Sequence, residues 1–455
     1  MTSRILISAC QSNSGKTTLT MGLIKAALLM GKEVCSFKSG PDYIDPLFHK
    51  EALRVPSYNL DLFLMGEDYV KDLLKKKTHQ ADMTFIEGAM GYYDGIGTGS
   101  QGSAWDLART TKTPSILILA PKGLAASLGA MVKGYLTYKD PSMIKGFILN
   151  KVSPMMFSYY KKIIQELTDI PVLGFLPNIE DISLESRYLG LLGVDEIEDI
   201  EGKIDRLGRT LLETVDMEAL FEIGRQAKDL EPGKSFSYKK PDGQVLKLGL
   251  AQDKALSFYY PDVLESLEEA GWGLEPFSIL EDPALPEGIS ALYLGGGYPE
   301  SYAEAISNNQ SLLEDIKNKY QEGLPILAEG GGYMVLQESY REGEKTYPWI
   351  GLLPGEVQLT DRLQNFGYGS LSFEKDHLLG TRDKPIKSHE FHYSRLDREG
   401  EDILTQKPQS RKNWKSGQVG DHLFASYSHL HLASDPDLMD AFISRARQYK
   451  GEEDV

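Results

Sequence analysis

Cysteine is almost missing from this chain: Cys10 and Cys35 are the two thiols among 455 residues. Two thiols so placed make neither a disulfide framework nor a zinc motif, and they fit a reducing compartment. No apolar run reaches the roughly 18 residues that a membrane span needs. The start, Met1-Thr-Ser-Arg-Ile-Leu-Ile-Ser8, lacks the apolar core and cleavage site of a signal peptide and reads as a strand, so the expected compartment is the cytoplasm. Positive charge is scarce too, and the formal net charge is −17. That disfavours non-specific binding to nucleic acid or to an anionic membrane, while a local site can still take an anionic substrate. There is no internal repeat and no low-complexity tract.

What is present is ordinary for a globular protein, with 41% apolar and 25% charged residues. The length suggests two or three domains, each able to bury its own core. In the first half, short apolar runs alternate with helical patterns. Strands are predicted at Arg4–Ser8, Val34–Phe37, Thr84–Glu87, Ser115–Leu119, Gly146–Asn150 and Pro171–Phe175. A helix is predicted from Thr17 to about Met30, stopping at Gly31, with Leu19, Leu23, Ala26, Ala27 and Met30 on one face. Strands separated by helices imply a doubly wound, mostly parallel sheet. Polar, turn-rich stretches, Asp229-Leu-Glu-Pro-Gly-Lys-Ser235 and Lys239-Lys-Pro-Asp-Gly243, mark a linker. The rhythm then restarts with strands at Leu246–Ala251, Ala291–Leu294 and Pro325–Ala328. The expected organisation is a first α/β domain over 1–228, a linker over 229–244 and a second α/β domain over 245–455.

Between the first strand and first helix lies Ser12-Asn13-Ser14-Gly15-Lys16-Thr17-Thr18. This is the setting of a P-loop, in which backbone N–H groups and a helix N-terminus cradle phosphate. Lys16 then reaches the outer phosphates and the Thr17 hydroxyl meets Mg²⁺. The match to G-x-x-x-x-G-K-[ST] is incomplete, because Cys10 stands at the first glycine position. Cys10 reads as a small residue at a strand end more readily than as a reactive thiol.

Two further segments begin at strand C-termini, where open α/β sheets bind ligands. They are Phe37-Lys-Ser-Gly-Pro-Asp-Tyr-Ile-Asp-Pro46 and Ile86-Glu-Gly-Ala-Met-Gly-Tyr-Tyr-Asp-Gly95. They bring Asp42, Asp45, Glu87 and Asp94 toward the outer phosphate. Glu87 ends its strand in a Walker-B-like place suited to Mg²⁺, directly or through water. One such acid alone reads equally as a helix cap or a solvated turn; four beside a P-loop favour a metal–phosphate site. The candidate metal ligands are Thr17, Asp45 and Glu87. Lys38 reads either as a counter-charge to a bound phosphate or carboxylate or as a solvated loop lysine.

With these segments the chain resembles the cobyrinic acid a,c-diamide synthase family, which amidates acetate side chains of tetrapyrroles in cobalamin biosynthesis. Asn59-Leu-Asp61 and Ser186-Arg-Tyr-Leu-Gly-Leu191 also fit, although the family commonly has histidine at the Tyr188 position. In the second half the resemblance continues through Asp253-Lys-Ala-Leu-Ser-Phe-Tyr-Tyr-Pro261, Leu294-Gly-Gly-Gly-Tyr-Pro-Glu300, His389-Glu-Phe-His-Tyr-Ser394 and Ala425-Ser-Tyr-Ser-His-Leu-His431. It implies that ATP and Mg²⁺ serve to phosphorylate a substrate carboxylate, which ammonia then converts to an amide. It places Lys16 and Thr17 on the nucleotide and its metal. It makes Asp42, Tyr43, Asp45, Glu87 and Asp94 candidates for metal binding, acyl-phosphate stabilisation and substrate placement. A homodimer is the oligomer it implies.

The resemblance also implies a class I glutamine amidotransferase-like second domain, whose cysteine nucleophile sits at a strand-to-helix turn beside a histidine. The family pattern there is Ala-Glu-Cys-Gly-Gly. This chain has Ala328-Glu329-Gly330-Gly331-Gly332, so Gly330 stands at the nucleophile position and offers no side chain to attack a carbonyl. His429 matches the family's catalytic histidine, and Gly295-Gly-Gly297 matches the oxyanion region. Without the thiol, His429 reads either as a retained base or as a structural histidine. Gly330 leaves three accounts open: a nitrogen source in free ammonia or an ammonia-supplying protein, an introduced change, or a domain with a non-glutaminase role.

Other functions remain open at this point. The same ligase chemistry suits a related tetrapyrrole, such as nickel-sirohydrochlorin or siroheme. A P-loop partition or regulatory ATPase is another class, although the early loop, Cys10-Gln11-Ser12, lacks the second lysine usual there. A non-catalytic tetrapyrrole binder would have no use for Lys16, Thr17 and the acids.

Overall fold

The computed structural model describes residues 3–179, 199–231, 233–238 and 245–451. The chain divides into two compact units, Met1–Ser235 and Phe236–Val455. The Ser186–Leu191 stretch and the Lys239–Gln244 part of the expected linker lie outside the described residues.

The first unit is built on seven strands: β1 (Arg4–Ala9), β2 (Val34–Ser39), β3 (Ser57–Leu60), β4 (Met83–Glu87), β5 (Ser115–Leu119), β6 (Ile144–Asn150) and β7 (Val172–Leu176). They form one sheet in the order β3-β2-β4-β1-β5-β6-β7, with every pairing parallel. Helices cover a parallel sheet on both faces, which is why these strands read as continuous apolar runs. The helices are α1 (Lys16–Leu29), α2 (Ile44–Leu53), α3 (Gly66–Thr78), α4 (Ala104–Thr110), α5 (Ser127–Thr137), α6 (Pro154–Gln165), α7 (Ile200–Thr214) and α8 (Met217–Arg225). The chain leaves β1 toward β2 on one side and later builds β5 to β7 on the other. Such a reversal opens a crevice at the strand C-termini, the usual ligand position in open sheets. The strand β3 goes beyond those predicted, because Ser-Tyr-Asn-Leu is too short to display a period.

On α1, Leu19, Leu23, Ala26 and Ala27 are buried as predicted. Helix α7 crosses α1 very closely at Gly22. A Cβ there would stand 2.5 Å from Leu211 Cδ1 and 2.7 Å from Leu207 Cγ.

The second unit contains β8 (Leu246–Ala251), β9 (Leu256–Phe258), α9 (Pro261–Glu269), β10 (Trp272–Phe277), β11 (Ala291–Leu294), β12 (Gly296–Gly297), α10 (Ala303–Asn308), α11 (Gln310–Gln321), β13 (Ile326–Glu329) and α12 (Gly331–Val335). It continues with β14 (Gln337–Glu342), β15 (Lys345–Pro348), β16 (Leu353–Phe373), β17 (Ile386–Leu396), β18 (Ile403–Gln406), β19 (Asn413–Ser416), β20 (Gln418–Gly420), β21 (Leu423–Ser426) and α13 (Pro436–Tyr449). One sheet runs β10-β8-β11-β13-β21-β20 and is parallel except for β20 at its edge. A second, largely antiparallel sheet runs β15-β14-β16-β18-β19, with β17 also on β16. The expectation of another α/β domain holds, and the antiparallel sheet is an addition to it. Reciprocal main-chain hydrogen bonds between His389 and His429, at 2.8 and 3.0 Å, tie this sheet to the segment after β21.

Candidate active site

The phosphate loop gets its shape from one glycine and one asparagine. Gly15 has a left-handed φ of 84° at the N-cap of α1. Asn150, at the end of β6, donates its side-chain amide to the Ser14 carbonyl at 2.8 Å. A Cβ on Gly15 would overlap that amide, so glycine is required twice over. No side chain caps α1, so its first N–H groups stay open to an anion. Lys16 is buried and its Nζ donates to the Gln11 carbonyl at 3.3 Å, arching over the loop. Burial pushes the Lys16 pKa down and Lys38 adds to this, opposed by Glu87, Asp45 and Asp94. Ser12 and Asn13 are exposed, Ser14 is buried, and Thr17 and Thr18 are half-buried. Cys10 has no left-handed φ, which explains why a non-glycine is tolerated there. Burial pushes its thiol up to about 11, so it is no thiolate at neutral pH.

Beside the loop lies a buried charge cluster. Pairing of β2 with β4 sets Lys38 opposite Glu87. The Thr17 hydroxyl and the Lys38 ammonium both donate to Glu87 Oε1, each at 2.7 Å. Lys38 also pairs with Asp45 and stands 4.0 Å from Asp42. His49 Nε2 lies 3.5 Å from the other Glu87 oxygen. Burial alone would lower the Lys38 pKa, but Asp45, Glu87 and Asp42 outweigh it and hold the group well above its ordinary value. Burial likewise opposes ionisation of Glu87, yet Lys38 and His49 keep it below the usual carboxylate range. Asp45 is raised, by burial first and by the neighbouring Glu87 charge, against the pull of Lys38.

This geometry decides between the two readings of Lys38. Lys38 is not a solvated loop lysine: it is a strand residue with 5% exposure, held by carboxylates. Asp45, an expected metal ligand, lies against the Lys38 ammonium, as Glu87 does. Asp42 accepts from the Ile44 N–H at 2.9 Å and so starts α2, with the half-buried Tyr43 at the helix N-cap. Asn59 donates to the carbonyls of Gly40 and Asp42, at 2.9 and 2.7 Å, and holds that loop in place. Asp94 is exposed and accepts from the Gly91 N–H at 3.0 Å.

The residues fit a magnesium–nucleotide pair. Among the described residues no group of three or more His, Cys, Asp or Glu is arranged to hold a metal alone. Magnesium does not need one, because it takes few protein ligands and fills its shell with phosphate oxygens and water. The adjacent Thr17 hydroxyl and Glu87 carboxylate are such a minimal pair.

The second unit has its own strand-to-helix elbow. After β13, Gly330 turns with φ 52° and ψ −112° into α12, and its N–H donates to the Ser426 carbonyl at 2.9 Å. The His429 ring lies between this turn and Gly296. A Cβ on Gly330 would meet His429 Cε1 at 2.6 Å and Nε2 at 2.8 Å, and one on Gly296 would meet Cε1 at 2.7 Å. Buried Glu329 stands 3.6 Å from His429 Nδ1 and accepts from the Leu430 N–H at 3.2 Å and the Tyr293 hydroxyl at 3.3 Å. His431 pairs with Asp262 at 2.9 Å, and His392 stacks on Tyr427 with centroids 3.7 Å apart. The two cysteines belong to the first unit.

Sequence reasoning missed His49, Asn150 and the partnership of Glu329 with His429. His49 is spaced from Glu87 by 38 residues and reaches it only because α2 returns over the sheet. Asn150 carried a signal, being a polar residue at the C-terminal end of an apolar strand.

A P-loop sheet in the first unit and a strand-to-helix elbow beside a histidine in the second define a two-domain α/β protein of the P-loop class. Comparison agrees. Residues 5–190 match the CobQ/CobB/MinD/ParA nucleotide binding domain, and residues 247–437 match the CobB/CobQ-like glutamine amidotransferase domain. The cobyrinate a,c-diamide synthase of Caldanaerobacter subterraneus subsp. tengcongensis is 37% identical over 98% of both chains. That of Clostridium tetani is 37% identical over 97% of this chain and 99% of its own. That of Listeria innocua is 36% identical over 96% and 98%. The chain therefore belongs to the cobyrinate a,c-diamide synthase family, an enzyme family of ATP-dependent, C–N bond-forming ligases.

Proposed function

We propose that the protein amidates acetate carboxylates of cobyrinate with ATP and ammonia, through an acyl phosphate. The observation that carries this reading is the contact of Thr17 and Lys38 with Glu87 beside the Lys16 loop, in a full-length relative of the synthases. A carboxylate resists substitution because its leaving group would be oxide. Its oxygen attacks the γ-phosphorus of ATP, ADP leaves, and the oxygen becomes part of a phosphate leaving group. Ammonia then adds to the carbonyl and inorganic phosphate departs.

In this reading the loop N–H groups and Lys16 hold the outer phosphates and spread their charge. Magnesium, when bound, supplies charge neutralisation at the phosphates, and Thr17 and Glu87 would hold it. Lys38 keeps Glu87 ionised and oriented. Asp42, Tyr43 and Asp94 lie on the loops at the strand C-termini and serve substrate placement, with Asp45 acting through Lys38. Nucleotide chemistry belongs to residues 1–228. In residues 245–455, Gly330 leaves the elbow without a nucleophile, so glutamine is not hydrolysed and His429 has no thiol to activate.

The test is ADP release and product mass with cobyrinate, nickel-sirohydrochlorin and siroheme. Turnover is expected with cobyrinate and ammonium, and not with glutamine in place of ammonium. Glutamine-driven turnover by the pure protein would remove the inactive-glutaminase part of the reading.

A further inference from the structure

We infer that a tyrosine platform at the rim of the nucleotide site takes the face of the substrate macrocycle. Tyr93, Tyr135 and Tyr138 form this platform, with Lys139 as the cation for a peripheral carboxylate. The inference rests on the function proposed above and adds where and how its substrate binds. Tyr93 stacks on Tyr135 with centroids 5.6 Å apart and planes at 21°, and meets Tyr138 edge-on at 5.1 Å. The platform is fastened rather than loose, because the Tyr93 hydroxyl donates to the Tyr135 carbonyl at 2.6 Å. It is also fastened to the phosphate loop, since the Tyr135 hydroxyl donates to the Cys10 carbonyl at 2.8 Å. Tyr93 immediately precedes Asp94, whose charge acts on both Tyr135 and Lys16. The rings therefore begin where the phosphate site ends.

Their surroundings specify the occupant. Tyr138 is 67% exposed, an unusual state for a tyrosine already packed against another aromatic ring. Lys139 Nζ lies 5.4 Å from the Tyr138 ring centre and 5.5 Å from that of Trp105. Ring faces, and no carboxylate among the described residues, hold this ammonium. Arg109 also lies over Trp105, but it is paired with Asp106 at 2.9 Å and so is already neutralised. A cation with no carboxylate partner among the described residues, beside the exposed Tyr138 ring and the half-buried Tyr93 and Tyr135, complements a flat ring system bearing several carboxylates, on a chain of net charge −17. A macrocycle lying on the tyrosines would project one acid toward Lys139 and another toward the loop of Lys16.

The experiment measures binding of cobyrinate to the full chain by equilibrium dialysis, followed by the corrinoid's own colour. ATP affinity is measured in parallel with a fluorescent ATP analogue. Tyr138→Ala is expected to weaken cobyrinate binding roughly three- to tenfold, the range for losing one aromatic contact. Lys139→Glu is expected to weaken it about tenfold or more at low salt, with less effect at high salt. Tyr138→Phe should bind within about twofold of wild type because the ring face is kept. Tyr159→Ala, on the exposed side of α6, is the control and should bind like wild type. ATP affinity should be unmoved in all four. The inference is overturned if wild type binds cobyrinate but Tyr138→Ala and Lys139→Glu bind it equally well. It is also overturned if those variants change the oligomeric mass and not the affinity. If wild type binds no tetrapyrrole at all, the proposed function fails first and the platform with it.

Discussion

Gly330 carries no side chain, and it turns β13 into α12 beside the His429 ring. Its φ of 52° and ψ of −112° are strained for any residue with a Cβ. The His429 ring has the space that a Cβ would enter. Gly330→Cys therefore has two expected effects. Backbone strain and displacement of His429 should cost about 1–3 kcal/mol of stability. A thiol placed beside His429 and under the Gly295–Gly297 turn should restore measurable glutamine hydrolysis, lost again in the double variant Gly330→Cys/His429→Ala. Ammonia release from glutamine checks this, and no release from the single variant would mean that the oxyanion region has also decayed. The strand-to-helix turn at Gly330 was legible through the family resemblance of the Ala-Glu-Gly-Gly-Gly segment, and the structure has a β13-to-α12 turn there. The place of the His429 ring was not, because it depends on main-chain pairing with His389, 40 residues away in sequence.

Among the elements, the parallel strands were the most legible, since strands buried on both faces are short apolar runs between polar turns. Strand order was not legible, because every β–helix–β unit looks alike before its neighbours are known. The antiparallel sheet was missed for a different reason. The long strand β16 pairs with β17 through register shifts between Leu359 and Gln364 and between Gln364 and Gly367, which break its alternation. Gly22 is a third case. In sequence it is a weak point of α1, and in the fold it is the crossing point of α1 and α7. Gly22→Val is therefore expected to lose about 1–3 kcal/mol through overpacking against Leu207 and Leu211, in spite of a better intrinsic helix propensity. A urea midpoint equal to wild type would contradict the close crossing.

Over the whole molecule, acid sensitivity follows from histidines buried without charge. Burial holds His377 down to about 4, where its Nδ1 accepts from the Leu379 N–H at 3.2 Å. Burial, and then the neighbouring His429, holds His389 down to about 3. Below about pH 6.5 the unfolded chain takes up protons that the folded chain refuses. Their stabilisation is thus complete above that pH and is lost as pH falls toward 4 for His377 and 3 for His389. For His377 the loss is on the order of 3 kcal/mol. His377→Asn keeps an acceptor for Leu379 and cannot titrate in this range. The gap between urea midpoints at pH 7 and pH 4.5 should be smaller in this variant than in wild type, and an equal gap would contradict the assignment. At the same scale, no helix among the described residues is long and apolar enough to cross a membrane.

In the proposed reaction, ATP activates a carboxylate by direct phosphorylation at the Lys16–Thr17–Glu87 site. The most direct measurement uses cobyrinate with ¹⁸O in its acetate carboxylates, together with ATP and ammonium, and follows the label by mass spectrometry. One labelled oxygen is predicted in the inorganic phosphate for each amide formed. Phosphate free of label, formed while amide accumulates, would contradict the acyl-phosphate route.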